Sequence, residues 1–416
     1  MSNKVYQYIL MFFAGLISGI SISNIYLIPL FFIGHYLFIK SLLERNDLYL
    51  NLILGWLFGF GFFLASMHWI INPFLIYDEH KTLAPFVIII FPFFMGFFFA
   101  LPSVLITWLV ISKSMNRNFF TFIFWVTFFL FSSEILRSTI FGGLPFNLYA
   151  HIWVFDERFL QIVSVVGVYG LSFLTIFWIV ISILLLTRRH ISFLVSLISF
   201  PVILIIFSLF YENQNSEDLD TLAVRVVQPN ILQKEKWDKS LFQKHVDKLL
   251  RLSQREQSNT RLLVAWPEAA MTVYLNENDD LVSYIRDNVD ENTTIITGGL
   301  RRVFENNSFK IYNSLFVIEK NSFSFYDKKH LVPFGEFIPL RSLTNFWKIT
   351  PGKTDFSIGE KESLLTFVND NSEVWFEPSI CYEAIFQTFN FKKIQLLINI
   401  TNDAWFGKTT GPRQHL

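Results

Sequence analysis

The sequence predicts a polytopic α-helical membrane domain followed by an extracytoplasmic α/β domain. Hydrophobic residues make up 52% of the 416-residue chain, and a soluble core cannot hide that much apolar surface. Charges are unevenly placed: residues 1–211 hold 10 Lys and Arg and 7 Asp and Glu, leaving 24 and 27 of the 34 of each kind for the rest. The formal net charge is zero, so nucleic acid is not an expected partner.

Apolar stretches long enough to cross a bilayer, roughly 20 residues each, recur through residues 1–211. We assign this region to a membrane domain of about seven transmembrane helices. The first two predicted spans follow each other almost without a break. The predicted spans cover residues 6–22, 24–43, 51–71, 84–111, 119–135, 160–187 and 191–211.

Lysine and arginine in the short loops predict the orientation of these spans, because cytoplasmic loops carry an excess of both. Loops on the opposite side from the N-terminus carry three such residues: Lys81, Arg137 and Arg158. Loops on the N-terminal side carry seven: Lys4, Lys40, Arg45, Lys113, Arg117, Arg188 and Arg189. We therefore expect a multi-pass protein of the bacterial inner membrane, with the N-terminus in the cytoplasm and everything after Tyr211 in the periplasm.

One polar pair interrupts the apolar pattern at the outer end of the fifth span. Glu134 and Arg137 are three residues apart, and a segment rich in Gly and Pro follows at 141–147. The pair has two interpretations, and the sequence leaves both open. It is either an ion pair on one helix face beside an ordinary loop, or a polar wall for a lipid headgroup.

A polar, acidic segment at 212–220 is the predicted linker to a second domain over residues 221–416. Strand-like segments there outnumber helix-like ones, which predicts an α/β or α+β sandwich. The predicted helix 238–257 carries its apolar residues on one stripe. The predicted strands cover residues 222–228, 261–266, 293–297, 312–319, 323–328, 374–380 and 395–400.

In three places a reactive or charged side chain closes an apolar strand. Glu268 follows Pro267 directly after the segment 262–266, where a strand end delivers its carboxylate to the edge of a sheet. Lys328 and Glu336 lie on either side of an apolar turn. Cys381, the single cysteine of the chain, leaves the strand 374–380. These positions are the candidates for chemistry.

Each candidate alone has an ordinary structural interpretation, since a lone cysteine is usually a small buried hydrophobe and strand-end charges are usually solvated. Together they fit one chemistry. A thiol needs a base, a glutamate whose pKa is raised by burial can accept its proton, and a lysine can stabilise an oxyanion. A Ser–His–Asp mechanism fits less well because no Gly-x-Ser-x-Gly motif occurs, and the spacing of His245, His330 and His415 does not predict a metal site.

Longer motifs resemble those of the apolipoprotein N-acyltransferase family within the nitrilase superfamily, and the resemblance covers most of the chain. In the membrane half, similar motifs are Glu134-Ile-Leu-Arg137 and the segment from Gln161 to Gly170-Leu-Ser-Phe173. In the second half they are Gln228-Pro-Asn-Ile231 with Lys236-Trp237, Trp266-Pro-Glu268, Tyr312-Asn-Ser314, Lys328 through His330-Leu-Val-Pro-Phe-Gly-Glu336, Cys381-Tyr-Glu383 and Thr401-Asn-Asp-Ala-Trp-Phe-Gly407.

The resemblance implies a nitrilase-like αββα sandwich and an acyl transfer that needs no cofactor and no metal. The acyl chain passes from a membrane phospholipid, through a cysteine thioester, to the N-terminal α-amino group of a diacylglyceryl-cysteine lipoprotein. Glu268 would be the base, Lys328 the oxyanion stabiliser and Cys381 the nucleophile. The motif selects Lys328 over Lys329, and only one of two successive strand residues can point inward. Supporting or substrate-binding roles fall to Trp237 on a mobile loop, Glu336, Tyr382 and Glu383.

Family members are expected to continue past the equivalent of Leu416 with more of the catalytic domain and an eighth span, so the resemblance predicts a domain incomplete at its C-terminal end. Two alternatives stay open. One is a membrane-anchored nitrilase-type amidase that uses the same triad with water as acceptor, although an anchor needs only one span. The other is a non-enzymatic transporter or receptor, which the scarcity of charges within the spans disfavours.

Overall fold

The structure is a computed structural model that describes residues 3–23, 27–111, 119–186, 190–211, 222–254, 261–305, 308–339, 354–360, 364–369, 372–386 and 394–415. A helical membrane domain precedes an α/β domain, as the sequence predicts. The predicted linker at 212–220 lies outside the described residues.

Nine helices of the described residues build the membrane domain: α1 Asn3–Ser23, α2 Ile28–Leu43, α3 Leu48–Ser66, α4 Asn72–Ile76, α5 Ala84–Met95, α6 Phe97–Leu105, α7 Phe119–Thr139, α8 Val163–Leu186 and α9 His190–Tyr211. Six helical segments of the described chain are long and apolar enough to cross a membrane. The helix α2 is apolar but has only 16 residues, so the count of seven spans stays a prediction. Backbones approach closely where glycine allows it: a Cβ on Gly15 of α1 would lie 2.0 Å from the Phe58 carbonyl oxygen of α3.

Two predicted spans differ from the helices observed. The third was expected to reach residue 71, but α3 ends at Ser66 and a short 3-10 turn, His68–Ile71, follows. That turn directs Trp69 toward the α/β domain, where its Nε1 donates to Gln414 Oε1 at 2.8 Å. The fourth is divided at Gly96 into α5 and α6, and a Cβ on Gly96 would lie 2.9 Å from the Trp56 carbonyl oxygen.

The α/β domain contains helices α10 Phe242–Ser253, α11 Asp279–Asp287 and α12 Gly411–His415, and two sheets. The strands of the two sheets are β1 Ala223–Val226, β2 Leu262–Ala265, β3 Met271–Tyr274, β4 Thr293–Glu305, β5 Ser308–Ile318, β6 Phe323–Asp327, β7 Leu365–Asn369, β8 Ser372–Ile380 and β9 Leu396–Ile400. The larger sheet has the order β1-β2-β4-β5-β6 with β3 also paired to β4, and the smaller has the order β7-β8-β9. Seven of these strands were predicted, whereas β3, β7, α11 and α12 were not.

Side-chain alternation divides the larger sheet between two cores. Leu262 and Val264 of β2 pack with Leu249 of α10 on one face. Leu263, between them, packs on the other face with Phe376 of β8. The described residues thus form a helical layer and two face-to-face sheets, which agrees with the expected sandwich.

The membrane domain contacts the α/β domain beside the end of β8. Arg137 of α7 donates from Nη1 to the carbonyl oxygens of Leu144 and Phe146 and so holds the loop 142–147. The Tyr382 hydroxyl donates to the Gly143 carbonyl oxygen of that loop. Glu134 is also buried and lies 4.0 Å from Arg137. Its carboxylate accepts a hydrogen bond from the Tyr149 backbone N–H instead of facing a surface. The pair therefore positions a loop, rather than forming an exposed polar wall.

Candidate active site

Glu268, Lys328 and Cys381 converge in the α/β domain, each just beyond the end of a strand. Glu268 comes three residues after β2, Lys328 directly after β6, and Cys381 directly after β8. All three are buried, with exposures of 7%, 1% and 7%. Lys328 Nζ lies 3.5 Å from Glu268 Oε1, and the charges of both residues are near enough to the Cys381 thiol to shift its pKa. The three residues that the sequence suggested as catalytic therefore meet at one point.

The backbone is unusual beside both the thiol and the carboxylate. Cys381 has φ 52° and Ala269, next to Glu268, has φ 47°, in the left-handed region that residues other than glycine seldom adopt. Such conformations concentrate at functional sites, where the surrounding structure imposes them. Gly298 of β4 allows the Glu268 segment to come close, because a Cβ there would lie 2.4 Å from the Ala269 backbone nitrogen.

Lys328 lies between the carboxylates of Glu268 and Glu336, and both of these carboxylates are also hydrogen-bonded to Asn313. Its Nζ lies 3.0 Å from Glu336 Oε2, in addition to its contact with Glu268. The side-chain nitrogen of Asn313 donates to Oε1 of Glu268 and to Oε1 of Glu336, both at 2.8 Å. The Val332 backbone N–H donates to the other oxygen of Glu336 at 2.8 Å. This network fixes the lysine and leaves little freedom to either carboxylate.

Burial and these contacts set the protonation states. Burial raises the pKa of the Cys381 thiol and the neighbouring Glu268 carboxylate raises it further, so the resting sulfur carries its proton. Burial alone would lower the pKa of Lys328, but Glu336 and Glu268 raise it above its usual range. Burial alone would raise the pKa of Glu268, but Lys328 and the Asn313 hydrogen bond keep it below its usual value. The expectation of a raised Glu268 pKa is thus wrong: desolvation is the largest single effect, but Lys328, the Asn313 hydrogen bond and Lys236 together outweigh it.

Glu383 connects the lysine segment to the cysteine segment. Its Oε1 accepts from the Tyr326 hydroxyl at 2.9 Å and from the backbone N–H groups of Lys329 and His330 at 2.6 and 3.0 Å. Its Oε2 accepts from the Ile380 backbone N–H at 2.9 Å. Glu383 therefore fixes the position of the Cys381 turn relative to the end of β6.

The remaining predicted residues surround this centre. Tyr382 reaches the membrane loop described above, and Trp237 is half-buried in a turn-rich segment that follows β1. Lys329 is only partly buried, with its Nζ 6.0 Å from the Tyr326 ring centre, whereas Lys328 points inward. The mobility expected for the Trp237 loop stays a prediction.

Two buried polar residues of the site were quoted in motifs but given no role from the sequence. Asn313 lies in β5 and bridges the two carboxylates, and its position opposite Lys328 follows from strand pairing that a single sequence does not reveal. Lys236 donates from Nζ to the Glu268 backbone oxygen at 2.9 Å. Burial lowers the pKa of Lys236 to about 8, although Glu268 and Cys381 oppose the shift.

Comparison with known proteins gives a consistent result for both halves of the chain. The family model described as apolipoprotein N-acyltransferase N-terminal domain matches residues 14–181, and the model described as carbon-nitrogen hydrolase matches residues 223–416. A protein named apolipoprotein N-acyltransferase from Rickettsia prowazekii is 31% identical over 96% of this chain and 80% of its own length. Another of that name from Rhizobium rhizogenes is 33% identical over 87% of this chain and 70% of its own length.

Proposed function

The chain belongs to the apolipoprotein N-acyltransferase family, and on that premise we propose that it transfers an acyl chain to the N-terminal α-amino group of lipoproteins. The donor is a membrane phospholipid, and the chain passes through a thioester on Cys381. The acceptor is the diacylglyceryl-cysteine at the lipoprotein N-terminus. This is an enzyme of lipoprotein maturation that works at a membrane.

One observation carries the proposal: the buried Cys381 sulfur, beside Glu268, belongs to a turn that touches the membrane domain. Tyr382, the next residue, bonds the loop that follows α7. A nucleophile in that position suits a substrate that resides in the bilayer. A site in the open face of the α/β domain would suit a soluble amide instead.

In the loading half-reaction, the Cys381 sulfur attacks the ester carbonyl carbon of the phospholipid. Glu268 is ionised at neutral pH and accepts the thiol proton as the S–C bond forms. Lys328, which keeps its charge, stabilises the oxyanion that forms on the carbonyl oxygen. The C–O bond then breaks, and the proton passes to the departing lysophospholipid oxygen.

In the transfer half-reaction, the lipoprotein amine attacks the thioester carbon. Glu268 accepts a proton from the amine as the N–C bond forms and passes it to the sulfur as the C–S bond breaks, which regenerates the Cys381 thiol and the Glu268 carboxylate. Glu336 and Asn313 keep Lys328 in place through both steps, since the same oxyanion position is used twice. Glu383 keeps the cysteine turn in register with Lys328.

The proposed location is the inner membrane with the α/β domain in the periplasm. The loops that contact this domain follow α3 and α7, and its own chain follows α9, so all three lie on one side. Among the short connections of the membrane domain, those on that side carry Lys81, Arg137 and Arg158. The opposite side carries Lys40, Arg45, Lys113, Arg117, Arg188 and Arg189, an excess typical of the cytoplasm whether or not α2 crosses.

The test is intact-mass spectrometry of the full-length protein after incubation in phospholipid bilayers. A mass increase equal to one acyl chain, located on Cys381 and removed by hydroxylamine, is expected. Cys381→Ala serves as the control and should acquire no hydroxylamine-sensitive chain. Addition of a diacylglyceryl-cysteine peptide should move the chain to the peptide amine. Release of free fatty acid without transfer would favour an amidase-type hydrolase and contradict the proposal.

A further inference from the structure

A second polar group reaches the Cys381 sulfur. His415 Nε2 lies 3.9 Å from Cys381 Sγ, within the range of a hydrogen bond to sulfur. The other ring nitrogen, Nδ1, lies 2.9 Å from Oδ1 of Asp403. That same oxygen accepts from the Thr401 hydroxyl at 2.8 Å. Cys381, His415 and Asp403 thus form a continuous chain of hydrogen bonds. This chain is separate from the network of Glu268, Lys328 and Glu336.

The imidazole is held in place from two sides. His415 is 6% exposed and lies in α12, while Asp403 lies in the turn that follows β9. The centre of the His415 ring lies 6.3 Å from that of Phe146, in the loop 142–147, and 5.2 Å from that of Phe406. The neighbouring Gln414 is bonded to Trp69. The position of His415 therefore depends on both domains.

The hydrogen bond to Asp403 determines which ring nitrogen can accept a proton. In the neutral ring, Nδ1–H donates to the carboxylate, so the lone pair of Nε2 points toward Sγ. Glu268, the other acceptor near the sulfur, already accepts from Asn313 and lies beside Lys328. Nε2 of His415 is therefore a second acceptor that faces the thiol.

We propose that His415, oriented by Asp403, is a second proton acceptor for the Cys381 thiol during acyl loading; this rests on the proposed function. The Sγ–H proton passes to Nε2 as the sulfur bonds to the ester carbon. The imidazolium, stabilised by the Asp403 carboxylate, then returns the proton to the lysophospholipid oxygen as the C–O bond breaks. Thiol and ester thereby become thioester and alcohol with no net change in protons.

The role is confined to one half-reaction. In the acyl-enzyme the sulfur is esterified and has no proton for His415 to accept. The amine proton in the second step belongs to Glu268, as proposed above. Loss of the imidazole should therefore slow loading much more than transfer, whereas a purely structural defect at the cysteine turn would slow both.

The experiment measures the two half-reactions separately in the full-length protein, held in detergent micelles free of phospholipid. Thioester formation is followed by mass spectrometry after rapid mixing with donor lipid. Transfer is followed by adding a diacylglyceryl-cysteine peptide to the fully loaded enzyme. The variants are His415→Gln, which keeps a polar side chain but removes the imidazole, and Asp403→Asn, which keeps the imidazole. His245→Gln is the matched control, since His245 is buried in α10 without a place in the site.

For His415→Gln we expect loading to be slower by about 10²-fold, the lower end of what a general base contributes, because Glu268 remains. Transfer should stay within about threefold of the unmodified protein. Asp403→Asn should slow loading less, by about 10-fold, and His245→Gln should change neither step. Unchanged loading in both site variants, or equal slowing of the two steps, overturns the inference. Absence of a thioester on Cys381 in the unmodified protein would instead reject the proposed function.

Discussion

Replacing Lys328 by methionine tests the electrostatics of the site most directly. Methionine keeps much of the aliphatic volume but removes the charge that lies 3.0 Å from Glu336 and 3.5 Å from Glu268. Two buried carboxylates would then face each other across the Asn313 amide, with no cation between them. Without the opposing charge of Lys328, burial would raise the pKa of Glu268 and favour its protonated form.

The expected losses follow from this geometry. Removing one partner of a buried ion pair costs about 3–5 kcal/mol. For a domain of this size that lowers the unfolding midpoint by on the order of 10 °C. Loss of the oxyanion stabiliser reduces acyl transfer by about 10²–10³-fold. Protonation of Glu268, the base, reduces it further.

The stability loss should depend on pH with a definite sign. In the unmodified protein the depressed pKa of Glu268 contributes stability above the unfolded value, near 4.3, and this contribution is lost as the pH falls through the depressed pKa. In Lys328→Met the pKa of Glu268 is raised instead, so its ionised carboxylate destabilises the folded protein at neutral pH. Acidification protonates the carboxylate and removes this destabilisation. The gap between the two proteins should be widest at pH 7 and narrow below about pH 4.5.

The assay is thermal unfolding in detergent at pH 7 and pH 4.5, together with acyl transfer at pH 7. Lys329→Met is the matched control because its side chain is only partly buried, and its stability should change by no more than about 0.5 kcal/mol. Equal losses for the two lysines, or a gap that widens on acidification, would refute this account of the site.

Other substitutions and a fusion test the remaining features. Cys381→Ser should abolish thioester formation and leave the unfolding midpoint nearly unchanged, since it is almost isosteric; substantial turnover would exclude the cysteine as nucleophile. Gly298→Ala should displace the Ala269 backbone by about 1 Å and lower turnover by about 10²-fold, measured as initial rate. Glu383→Gln should place an NH₂ against backbone donors and cost about 1–3 kcal/mol in unfolding experiments. Alkaline phosphatase fused after Asp220 should be active and a fusion after Arg189 inactive; the reverse would contradict the orientation.

Hydrophobic patterning was enough to predict the architecture and much of the strand content. It missed β3 and β7 because their segments are short and carry no clear alternation, and it missed α11 because nine residues give too few turns for a periodic signal. The third span was predicted too long because Trp69, Ile70 and Ile71 continue the apolar run past the end of α3. Only the hydrogen bond from Trp69 to Gln414 of α12 reveals that the chain turns there.

The candidate triad was accessible from the sequence because each member closes an apolar strand. The remaining polar partners were not. Asn313 matters through its place in the sheet, and His415 lies near Cys381 although 34 residues separate them. The sign of the Glu268 pKa shift also required the structure, since it results from a competition between burial and a lysine 60 positions away.

The contact between the cysteine turn and the loop 142–147 has a consequence for making chimaeras. Tyr382 bonds to the Gly143 carbonyl oxygen, and Gly143 has φ +79° with Phe386 3.1 Å from where a Cβ would lie. Either half of the chain thus contains a surface shaped by the other. A hybrid that joins the membrane helices of one relative to the α/β domain of another must carry over this loop together with the cysteine turn. Substitutions in the loop 142–147 and in the cysteine turn should accordingly be transferred together.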